Sequence, residues 1–499
     1  MENNIDEQDI TIEDYNKLME VRIEKLKELQ SNNKDPFYIT KCEITDFTED
    51  VKENFTDGSE VKVKMAGRIM SKRAMGKASF CDIQDSKGRI QLYIRADMIG
   101  LESYEDFKKY DIGDIIYISG IVFKTHMGEV SIKLDSCTLV SKSLRPLPEK
   151  WHGLKDVDLR YRQRSVDLIV NSDVKETFIK RSKIIKSMRQ YLESKGYLEV
   201  ETPMLNVIAG GAAAKPFETY HNALDLDLYL RIAPELYLKR LIIGGFDKVY
   251  EIGKNFRNEG IDIKHNPEFT NMELYSAYDD YNDMMNITED MVKYISREVL
   301  GTEKINYQGQ EIDLSGNWKK LTMIESIKNV TNVDFDTIHT DKEAYEAGKK
   351  LKLDIKEDAK RGDIINLAFE EYVEETLIQP TFIIDYPVEV SPLTKRRKDK
   401  PELVERFEVF IGGREYGNAY SELNDPIDQK DRFDAQMIER EAGNEEANMQ
   451  DDEFLTALEY GMPPTGGLGI GLDRLIMLLT DSASIRDILF FPTMKPLPR

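Results

Sequence analysis

The sequence contains few of the residues that bind transition metals or cross-link a chain. Among 499 residues there are three cysteines, five histidines and two tryptophans. Cys42, Cys81 and Cys137 are odd in number and widely spaced, which argues against a disulfide framework and against a zinc site with C-x-x-C spacing. We therefore predict no zinc and three free thiols in a reducing compartment.

Long apolar stretches are also missing. No run approaches the roughly 18 apolar residues that a membrane helix needs. Residues 1–7 do not form a basic region followed by an apolar one, as a secretory signal would. We therefore expect a cytoplasmic protein with no membrane partner.

Positive charge is in the minority. The 69 basic and 92 acidic side chains give a net charge of -23, which argues against a general nucleic-acid binder. The balance is uneven, because residues 61–145 carry 15 basic against 10 acidic side chains, whereas residues 1–60 carry 7 against 17. A polyanionic partner is therefore expected at residues 61–145.

The first part of the chain divides by its hydrophobic pattern. Residues 1–60 read as an acidic helical extension, in which an amphipathic helix over 11–30 is expected to pack on the next domain through one apolar stripe. That stripe consists of Leu18, Val21, Ile23, Leu26 and Leu29. Residues 61–145 hold five short strands with a helix between the third and fourth, which is typical of an all-β OB-fold domain that binds oligonucleotides. Residues 146–173 begin with a proline-rich stretch and are predicted to be a linker.

The second part, residues 174–499, mixes helices and strands without regular alternation. This pattern predicts an α+β domain with an antiparallel sheet. Within it, residues 341–375 are acidic and are predicted to form a helical excursion on the surface.

The predicted barrel offers a surface for single-stranded nucleic acid. An aromatic ring beside cations can stack a base and neutralise its backbone. The exposed candidates are Arg68, Lys72, Arg73, Phe80 and Gln91. The pattern leaves open whether Phe80 lies on this face or in the barrel core.

Three stretches of residues 174–499 stand out. The first, residues 195–205, follows a helix predicted over 175–194. The second, residues 255–275, is a predicted hairpin that presents a cation, an aromatic ring and carboxylates. On it, Arg257 and Glu259 are expected to share one face of the first strand, and Phe269, Asn271, Glu273 and Tyr275 one face of the second.

The third stretch, residues 466–474, is a glycine-rich strand that runs into an apolar helix. Its glycines do not fit a dinucleotide fingerprint, because the third comes one residue early and no strand-helix-strand unit follows.

In their order and spacing, these three stretches resemble the three defining motifs of the class II aminoacyl-tRNA synthetases. With residues 212–217 and 231–240 and the OB-like domain in front, the resemblance is to the bacterial subclass IIb and covers residues 61–499. It implies ATP-dependent activation of an amino acid and its transfer to tRNA. It also implies that the first motif forms the interface of a homodimer. The alternative is that this motif only supports the core of its own domain.

The resemblance assigns the nucleotide-binding residues. Arg257 should hold the α-phosphate and Glu259 the adenine amino group, while Phe269 and Arg474 enclose the ring. The implied ATP-binding set is Arg257, Glu259, His265, Phe269, Glu415 and Arg474, with Arg257 and Arg474 as catalytic residues. A salt bridge to Asp473 or Asp487 is the alternative role for Arg474.

Magnesium is the expected cofactor, on Glu408 and Glu415. The residues support this assignment independently, because a two-residue turn at Gly412-Gly413 would pair residue 410 with Glu415. Glu408 then lies diagonally from Glu415 on the same face, within about 7–8 Å. Two carboxylates at that separation can share a cation.

The strand that continues from Glu415 requires an irregularity. Asn418, Tyr420 and Glu422 alternate onto the face opposite to Glu415, so one inserted residue is needed for all of them to line one pocket. We predict a bulge within residues 416–418, with Gly417 as the natural position.

The amino-acid pocket is expected to bind L-lysine, which brings two ammonium groups and one carboxylate. Several acids and one cation match that charge. The implied lysine-binding set is Gly211, Glu235, Arg257, Glu273, Tyr275, Asn418, Tyr420 and Glu422. The partners are then ATP, L-lysine and tRNA(Lys), whose anticodon is expected at Arg68, Phe80, Gln91 and Glu129.

Two rival functions have distinct sequence marks. A binding module without catalysis would lack Arg257, Glu415 or Arg474, and all three are present. A relative that lysylates a protein instead of tRNA would lack the anticodon domain, and residues 61–145 are present. The basic residues 395–398 either touch phosphate or form a solvated loop, and we favour the loop.

Overall fold

The computed structural model describes residues 12–76, 78–148, 156–443 and 449–497. It contains two compact units, Met1–Lys155 and Asp156–Arg499. The predictions made for residues 1–11 and 149–155 lie outside the described residues. Among the helices that the structure describes, none has the length and apolar character needed to cross a membrane.

The first unit is built around a β-barrel. Its elements are α1 (Ile12–Ser31), α2 (Thr48–Asn54), β1 (Lys62–Met75), β2 (Ala78–Gln84), β3 (Arg89–Arg95), α3 (Ala96–Ile99), α4 (Leu101–Lys109), β4 (Ile115–Lys124) and β5 (Val130–Ser141). The five strands close in the order β1-β2-β3-β5-β4. Alternate residues of β2 and β4 are buried in the barrel, as a period of two requires.

The helix α1 packs on the barrel, but not through the whole predicted stripe. Leu29 belongs to the barrel core, whereas Leu18 and Val21 are exposed. Arg22 is buried instead, and its guanidinium donates to the backbone oxygens of Ser143 and Arg145. The predicted stripe was therefore wrong at Leu18 and Val21, and Arg22 faces inward because it bonds to the segment that follows the barrel's last strand.

The span predicted as a linker is partly helical. Its second half forms α5 (Val157–Arg162) and α6 (Arg164–Val170), and both belong to the second unit. The buried Arg164 connects α6 to the end of that unit, where it donates to the backbone oxygens of Arg486 and Phe490. A stretch that supports the fold in this way is not a linker, and the prediction for these residues was wrong.

The second unit contains a large mixed sheet and the helices around it. Its helices are α7 (Ser172–Ser194), α8 (Glu235–Ile243), α9 (Tyr281–Leu300), α10 (Met323–Thr331), α11 (Asp341–Lys350), α12 (Arg361–Tyr372), α13 (Pro426–Glu441), α14 (Asp452–Glu459) and α15 (Leu472–Leu479). Its strands are β6 (Leu198–Glu199), β7 (Leu205–Asn206), β8 (Phe217–His221), β9 (Leu226–Leu230), β10 (Lys248–Phe256), β11 (Glu268–Ala277), β12 (Lys304–Tyr307), β13 (Gln310–Asp313), β14 (Lys319–Thr322), β15 (Thr381–Pro387), β16 (Leu403–Ile411), β17 (Arg414–Ser421) and β18 (Thr465–Ile470).

Eight of these strands form one sheet in the order β14-β15-β16-β17-β18-β11-β10-β6. The pairs between β15 and β10 are antiparallel, and only the edge strands β14 and β6 pair in parallel. The helices α7, α9 and α15 cover the sheet with an apolar core that includes Leu192, Met291 and Leu478. The α+β prediction with an antiparallel sheet is confirmed.

The predicted helical excursion is also helical in the structure. The helices α11 and α12 and a short turn at Glu374–Thr376 occupy most of residues 341–375. Ile364 and Phe369 on α12 pack with Ile327 and Ile383 in a core of their own. This segment therefore packs against β15 and β16 through a shared apolar core.

Candidate active site

One cavity of about 650 Å³ in the second unit contains every residue predicted for catalysis, nucleotide, amino acid and metal. They are Gly211, Glu235, Arg257, Glu259, His265, Phe269, Glu273, Tyr275, Glu408, Glu415, Asn418, Tyr420, Glu422 and Arg474. A second cavity of about 370 Å³ shares His265, Glu408, Glu415 and Arg474 with it.

The strand β11 forms the central floor of the cavity. Phe269, Asn271, Glu273 and Tyr275 all line it, as their alternation predicts. β11 pairs with β10 on one side and with the glycine-rich β18 on the other.

The residues before the hairpin loop are positioned differently from our prediction. The strand β10 ends at Phe256, and Arg257 and Glu259 lie in the connecting segment. Arg257 donates its backbone N–H to the oxygen of Pro267, which holds the segment at the mouth of the hairpin. The predicted strand face was therefore wrong, although both side chains reach the cavity.

Arg257 is prepared for an anion. Its guanidinium carbon lies 5.2 Å from the centroid of the Phe269 ring. Its Nε is buried and has no hydrogen-bond partner among the described residues. A buried donor without a partner is costly, so an acceptor supplied by a ligand would stabilise this arrangement.

Arg474 extends from the first turn of α15 into the cavity. Its Nη1 donates to the backbone oxygen and to Oε2 of Glu415, both at 3.0 Å, and its Nη2 lies 3.3 Å from Nε2 of His265. Of the two alternative partners, Asp473 accepts from Arg181 at 2.7 Å and Asp487 accepts from the Tyr161 hydroxyl at 2.7 Å. Arg474 is therefore bonded to one of the two predicted magnesium-binding residues and to neither alternative partner.

Glu408 and Glu415 lie on neighbouring strands as the turn chemistry predicts. Gly412 and Gly413 have positive φ angles of 59° and 68°, and residue Phe410 pairs with Glu415. Two-residue hairpin turns of this kind need positive φ at both positions, which glycine adopts without strain.

A bound cation would stabilise the ionised forms of the two carboxylates. Glu408 accepts from Tyr386 at 2.9 Å and from Arg406 at 2.6 Å. Burial raises the pKa of Glu408 to about 7, and the nearby charge of Glu415 acts in the same direction. The described residues contain no group of three or more potential metal-binding side chains, so this pair would hold magnesium only together with oxygens of a ligand.

The predicted irregularity lies between Glu415 and Gly417. Val409 pairs with Gly417 and Phe410 with Glu415, so one extra residue, Tyr416, is inserted in β17. The bulge is confirmed, but its inserted residue is Tyr416 rather than Gly417. Gly417 stays in the ladder, where it pairs with Val409 and Ile470, and a Cβ there would come within 2.6 Å of the Ile470 side chain.

The amino-acid half of the cavity contains buried acids. Glu273 accepts from the Asn271 amide at 3.0 Å and from the Tyr275 hydroxyl at 3.3 Å. Burial raises the pKa of Glu273 to about 8, and the charge of Glu235 adds to the effect. Burial likewise raises the pKa of Glu422 to about 8.

Glu235 and Glu422 share a buried cation that our sequence reasoning missed. Lys239 Nζ lies 2.6 Å from Glu235 and also forms an ion pair with Glu422. Tyr420 donates its hydroxyl to the other oxygen of Glu235 at 2.8 Å. The spacing of four residues between Glu235 and Lys239 on a helix was the available signal.

Arg406 is a second residue that our sequence reasoning missed. It donates to Asn418 at 3.0 Å and to Glu408 at 2.6 Å, and so connects the two halves of the cavity. It lies two residues before Glu408 on the same strand, which places both on one face. Strand alternation could have predicted the face on which Arg406 lies, but not that its side chain packs between the two halves of the cavity.

Gly467 on β18 makes room for the acids. A Cβ at this position would lie 1.9 Å from Oε1 of Glu422 and 2.7 Å from the Tyr275 ring. Gly211, on the opposite wall, has a φ of 88° and would place a Cβ 3.1 Å from that of Glu235. Both glycines are required by space, and Gly211 also by its backbone conformation.

The barrel carries a row of aromatic rings on its outer face. The ring centroids of Phe80 and Tyr93 are 5.1 Å apart, and those of Tyr93 and Phe123 are 6.1 Å apart. Phe80 is half-buried and stands outside the barrel core cluster. Gln91, two residues before Tyr93, accepts from Ser131 at 3.2 Å.

The other predicted barrel residues differ in their surroundings. Glu129 is exposed, and Arg73 is exposed opposite Phe80. Arg68 donates to the backbone oxygen of Gly113 at 2.7 Å. Lys72 was predicted to be exposed, but its ammonium caps the end of α4 by donating to the backbone oxygens of Phe107, Lys108 and Tyr110.

Comparison with known families agrees with both units. The family model of class II tRNA synthetases (D, K and N) matches residues 156–495, and that of the OB-fold nucleic acid binding domain matches residues 63–140. The chain therefore belongs to the class II tRNA synthetases of the D, K and N group.

Individual relatives narrow the family. The chain is 60% identical to the lysine--tRNA ligase of Clostridium tetani, and 61% and 58% identical to those of Clostridium botulinum and Thermoanaerobacter pseudethanolicus, over 97% of this chain and 97% of each relative. Within its class, the chain belongs to the lysine--tRNA ligases.

Proposed function

We propose that this protein activates L-lysine with ATP and transfers it to tRNA(Lys), releasing pyrophosphate and AMP. The observation that supports the substrate is the charge of the amino-acid half of the cavity. Glu235, Glu273 and Glu422 are all buried there, where the ammonium groups of lysine would meet them. An aspartate side chain would add an unmatched buried carboxylate, which is strongly unfavourable.

Activation needs no nucleophilic side chain. An oxygen of the lysine α-carboxylate attacks the α-phosphorus of ATP, the bond to the bridging oxygen breaks, and pyrophosphate leaves with the electron pair. The attacking group is already an anion, so catalysis consists of positioning and of stabilising the charge on the phosphate. The residues of the cavity supply hydrogen-bond donors and cations for this purpose.

Arg257 holds the α-phosphate and the lysine carboxylate in this proposal. Its unpartnered Nε and its contact with Phe269 leave the planar donor group ready for both. Phe269 and Arg474 enclose the adenine ring, Glu259 accepts from the adenine amino group, and His265 faces the outer phosphates.

Glu408 and Glu415 would hold magnesium with the phosphate oxygens. Magnesium bound there supplies charge neutralisation for the triphosphate. Arg406 and Tyr386 orient Glu408, and Arg474 orients Glu415. The two carboxylates therefore face the cavity as oxygen donors.

Lysine is bound through both of its ends. Glu235, together with the backbone at Gly211, takes the α-ammonium group, and Glu273, Tyr275 and Glu422 take the ε-ammonium group. Asn418 and Tyr420 complete the wall between them.

Transfer uses the 3′ end of the tRNA. Its terminal hydroxyl oxygen attacks the lysyl carbonyl carbon, and the bond to the phosphate oxygen breaks, so AMP leaves.

The anticodon bases stack on the Phe80 face of the barrel, with Arg68, Gln91 and Glu129 beside them. We also propose a homodimer through residues 175–205 and a cytoplasmic location.

Exchange of labelled pyrophosphate into ATP, measured with each of the twenty amino acids, tests the substrate. We expect lysine alone to support exchange at low concentration. Exchange driven by aspartate or asparagine, and not by lysine, would overturn the proposal. Aminoacylation of tRNA(Lys) against lysylation of added proteins then separates tRNA from a protein acceptor.

A further inference from the structure

Lys239 is a cation behind the wall of the amino-acid pocket. Its side chain is 0% exposed, as is that of Glu422. Besides the carboxylates of Glu235 and Glu422, the rings of Tyr420 and Phe454 lie 5.7 and 6.0 Å from its Nζ. Lys239 is separate from the residues that line the cavity, so it would act on a ligand through its two acidic partners.

We infer that Lys239 sets the net charge of the pocket to match a substrate with two ammonium groups. This inference rests on the proposed function. In the amino-acid half of the cavity, the charged groups around Lys239 are the carboxylates of Glu235, Glu273 and Glu422 and the cation of Arg257. Other charged residues line the rest of the cavity, among them the ion pairs of Arg406 with Glu408 and of Arg474 with Glu415. Lys239 neutralises one of three carboxylates and leaves two charges, one for each ammonium group.

The remaining charges also balance. The single carboxylate of lysine is matched by Arg257. The nearby pair of Arg231 and Glu251, whose side chains are 1% and 5% exposed, is neutral as a unit. Without Lys239, three buried carboxylates would face two ammonium groups, and one buried charge would stay uncompensated.

The contacts of Lys239 also determine where the free charge points. Lys239 forms its ion pair with Oε2 of Glu422, and both oxygens are buried without a hydrogen-bond partner among the described residues. The other oxygen, Oε1, occupies the place that a side chain at Gly467 would take, and Glu422 lines the cavity. Lys239 is thus a positioning residue that holds Glu422 with one oxygen directed at the substrate.

Three variants of the full-length protein test this inference: Lys239→Met, Glu422→Gln and the two combined. In ATP–pyrophosphate exchange, we expect each single change to raise the KM for lysine roughly 100-fold, because each leaves a buried charge without compensation. The combined variant has two carboxylates and no lysine, which restores the balance. Its KM for lysine is therefore expected to lie below that of either single variant.

A merely structural ion pair would give a different result. If the KM for lysine in the combined variant equals or exceeds that of either single variant, the inference is wrong. If Lys239→Met does not fold, the comparison of Glu422→Gln with the combined variant still decides. Exchange by the unchanged protein with lysine tests the proposed function separately.

Lys142→Met is the matched control. Lys142 is also buried, at 1% exposure, and also pairs with two carboxylates, Asp111 and Asp114, but it lies in the barrel unit. Its loss is expected to leave the KM for lysine in the exchange reaction unchanged. An equal rise in KM for Lys142→Met would attribute the effect to general loss of stability and overturn the inference.

Discussion

At the residue scale, Glu273 of the lysine pocket is unusual because burial keeps a proton on it. Its pKa is raised to about 8, so near neutral pH the free protein holds a proton that an unfolded chain would have released. Ionisation of Glu273 opposes folding as the pH rises towards 8. An ammonium group bound beside it would offset that cost.

Lysine affinity should therefore depend on pH. Between pH 6 and 8 we expect it to rise, by about tenfold per pH unit for each glutamate that must lose its proton on binding. Calorimetric titration with lysine in buffers of different ionisation enthalpy should also detect the released protons. The dependence should weaken in Glu273→Gln, and a flat profile in the unchanged protein would contradict the assignment.

Arg257→Lys tests the phosphate contact. A lysine keeps the charge but loses the planar pair of donors and the contact with the Phe269 ring. We expect the rate of ATP–pyrophosphate exchange to fall by about 100-fold or more. Arg297→Lys, at an arginine paired with Glu303 and 55% exposed, should change it little.

The residues that line the cavity were predictable where a motif resemblance applied, and less so elsewhere. Alternation predicted the cavity-facing side chains Phe269 and Glu273 on β11 correctly. Lys239 was missed because helical spacing gives a neighbour but not its burial. Lys72 was misjudged for the same reason, since its acceptors are the backbone oxygens at the end of a helix distant in sequence.

At the scale of elements, local turn chemistry predicted more than strand boundaries. The Gly412-Gly413 turn determined the register of Glu415 correctly. The end of β10 at Phe256 could not be predicted, because the chain leaves the ladder where Arg257 bonds to Pro267. That the inserted residue is Tyr416 could not be read locally, because Gly417 pairs with Ile470 on β18, a contact between separate stretches of sequence.

Gly467→Ala probes the close approach of β18 to the acids. The new methyl group would displace Glu422 and the Tyr275 ring, so we expect the KM for lysine to rise at least about tenfold. Gly469→Ala, on the same strand and face, meets nothing closer than 3.6 Å and should have the smaller effect. Steady-state exchange at saturating ATP measures both, and equal KM values would contradict the steric reason.

At the scale of the whole molecule, the two units were separable in the sequence by their strand pattern and composition. The boundary was less predictable, because α5 and α6 are only six and seven residues long and are held by polar contacts such as that of Arg164 with the backbone of Phe490. Composition alone therefore mistook part of the second unit for a connection.

The division of labour between the units can be tested with Phe80→Ala. Loss of a stacking ring costs about 1–3 kcal/mol per base, so we expect kcat/KM for tRNA(Lys) in aminoacylation to fall by about 10- to 100-fold. ATP–pyrophosphate exchange, which needs no tRNA, should stay unchanged. Leu101→Ala, at a leucine that is 69% exposed on the same unit, is the control, and an equal loss in it would contradict a specific role for Phe80.

The inserted Tyr416 shifts the alternation of side chains along β17 by one residue. Before it, Glu415 points to the proposed phosphate end of the cavity, and after it Asn418 and Tyr420 point to the amino-acid end. In the proposed reaction, side chains of one continuous strand therefore contact both substrates. The spacing between the groups that bind lysine and the group at the phosphate end is then set within that strand.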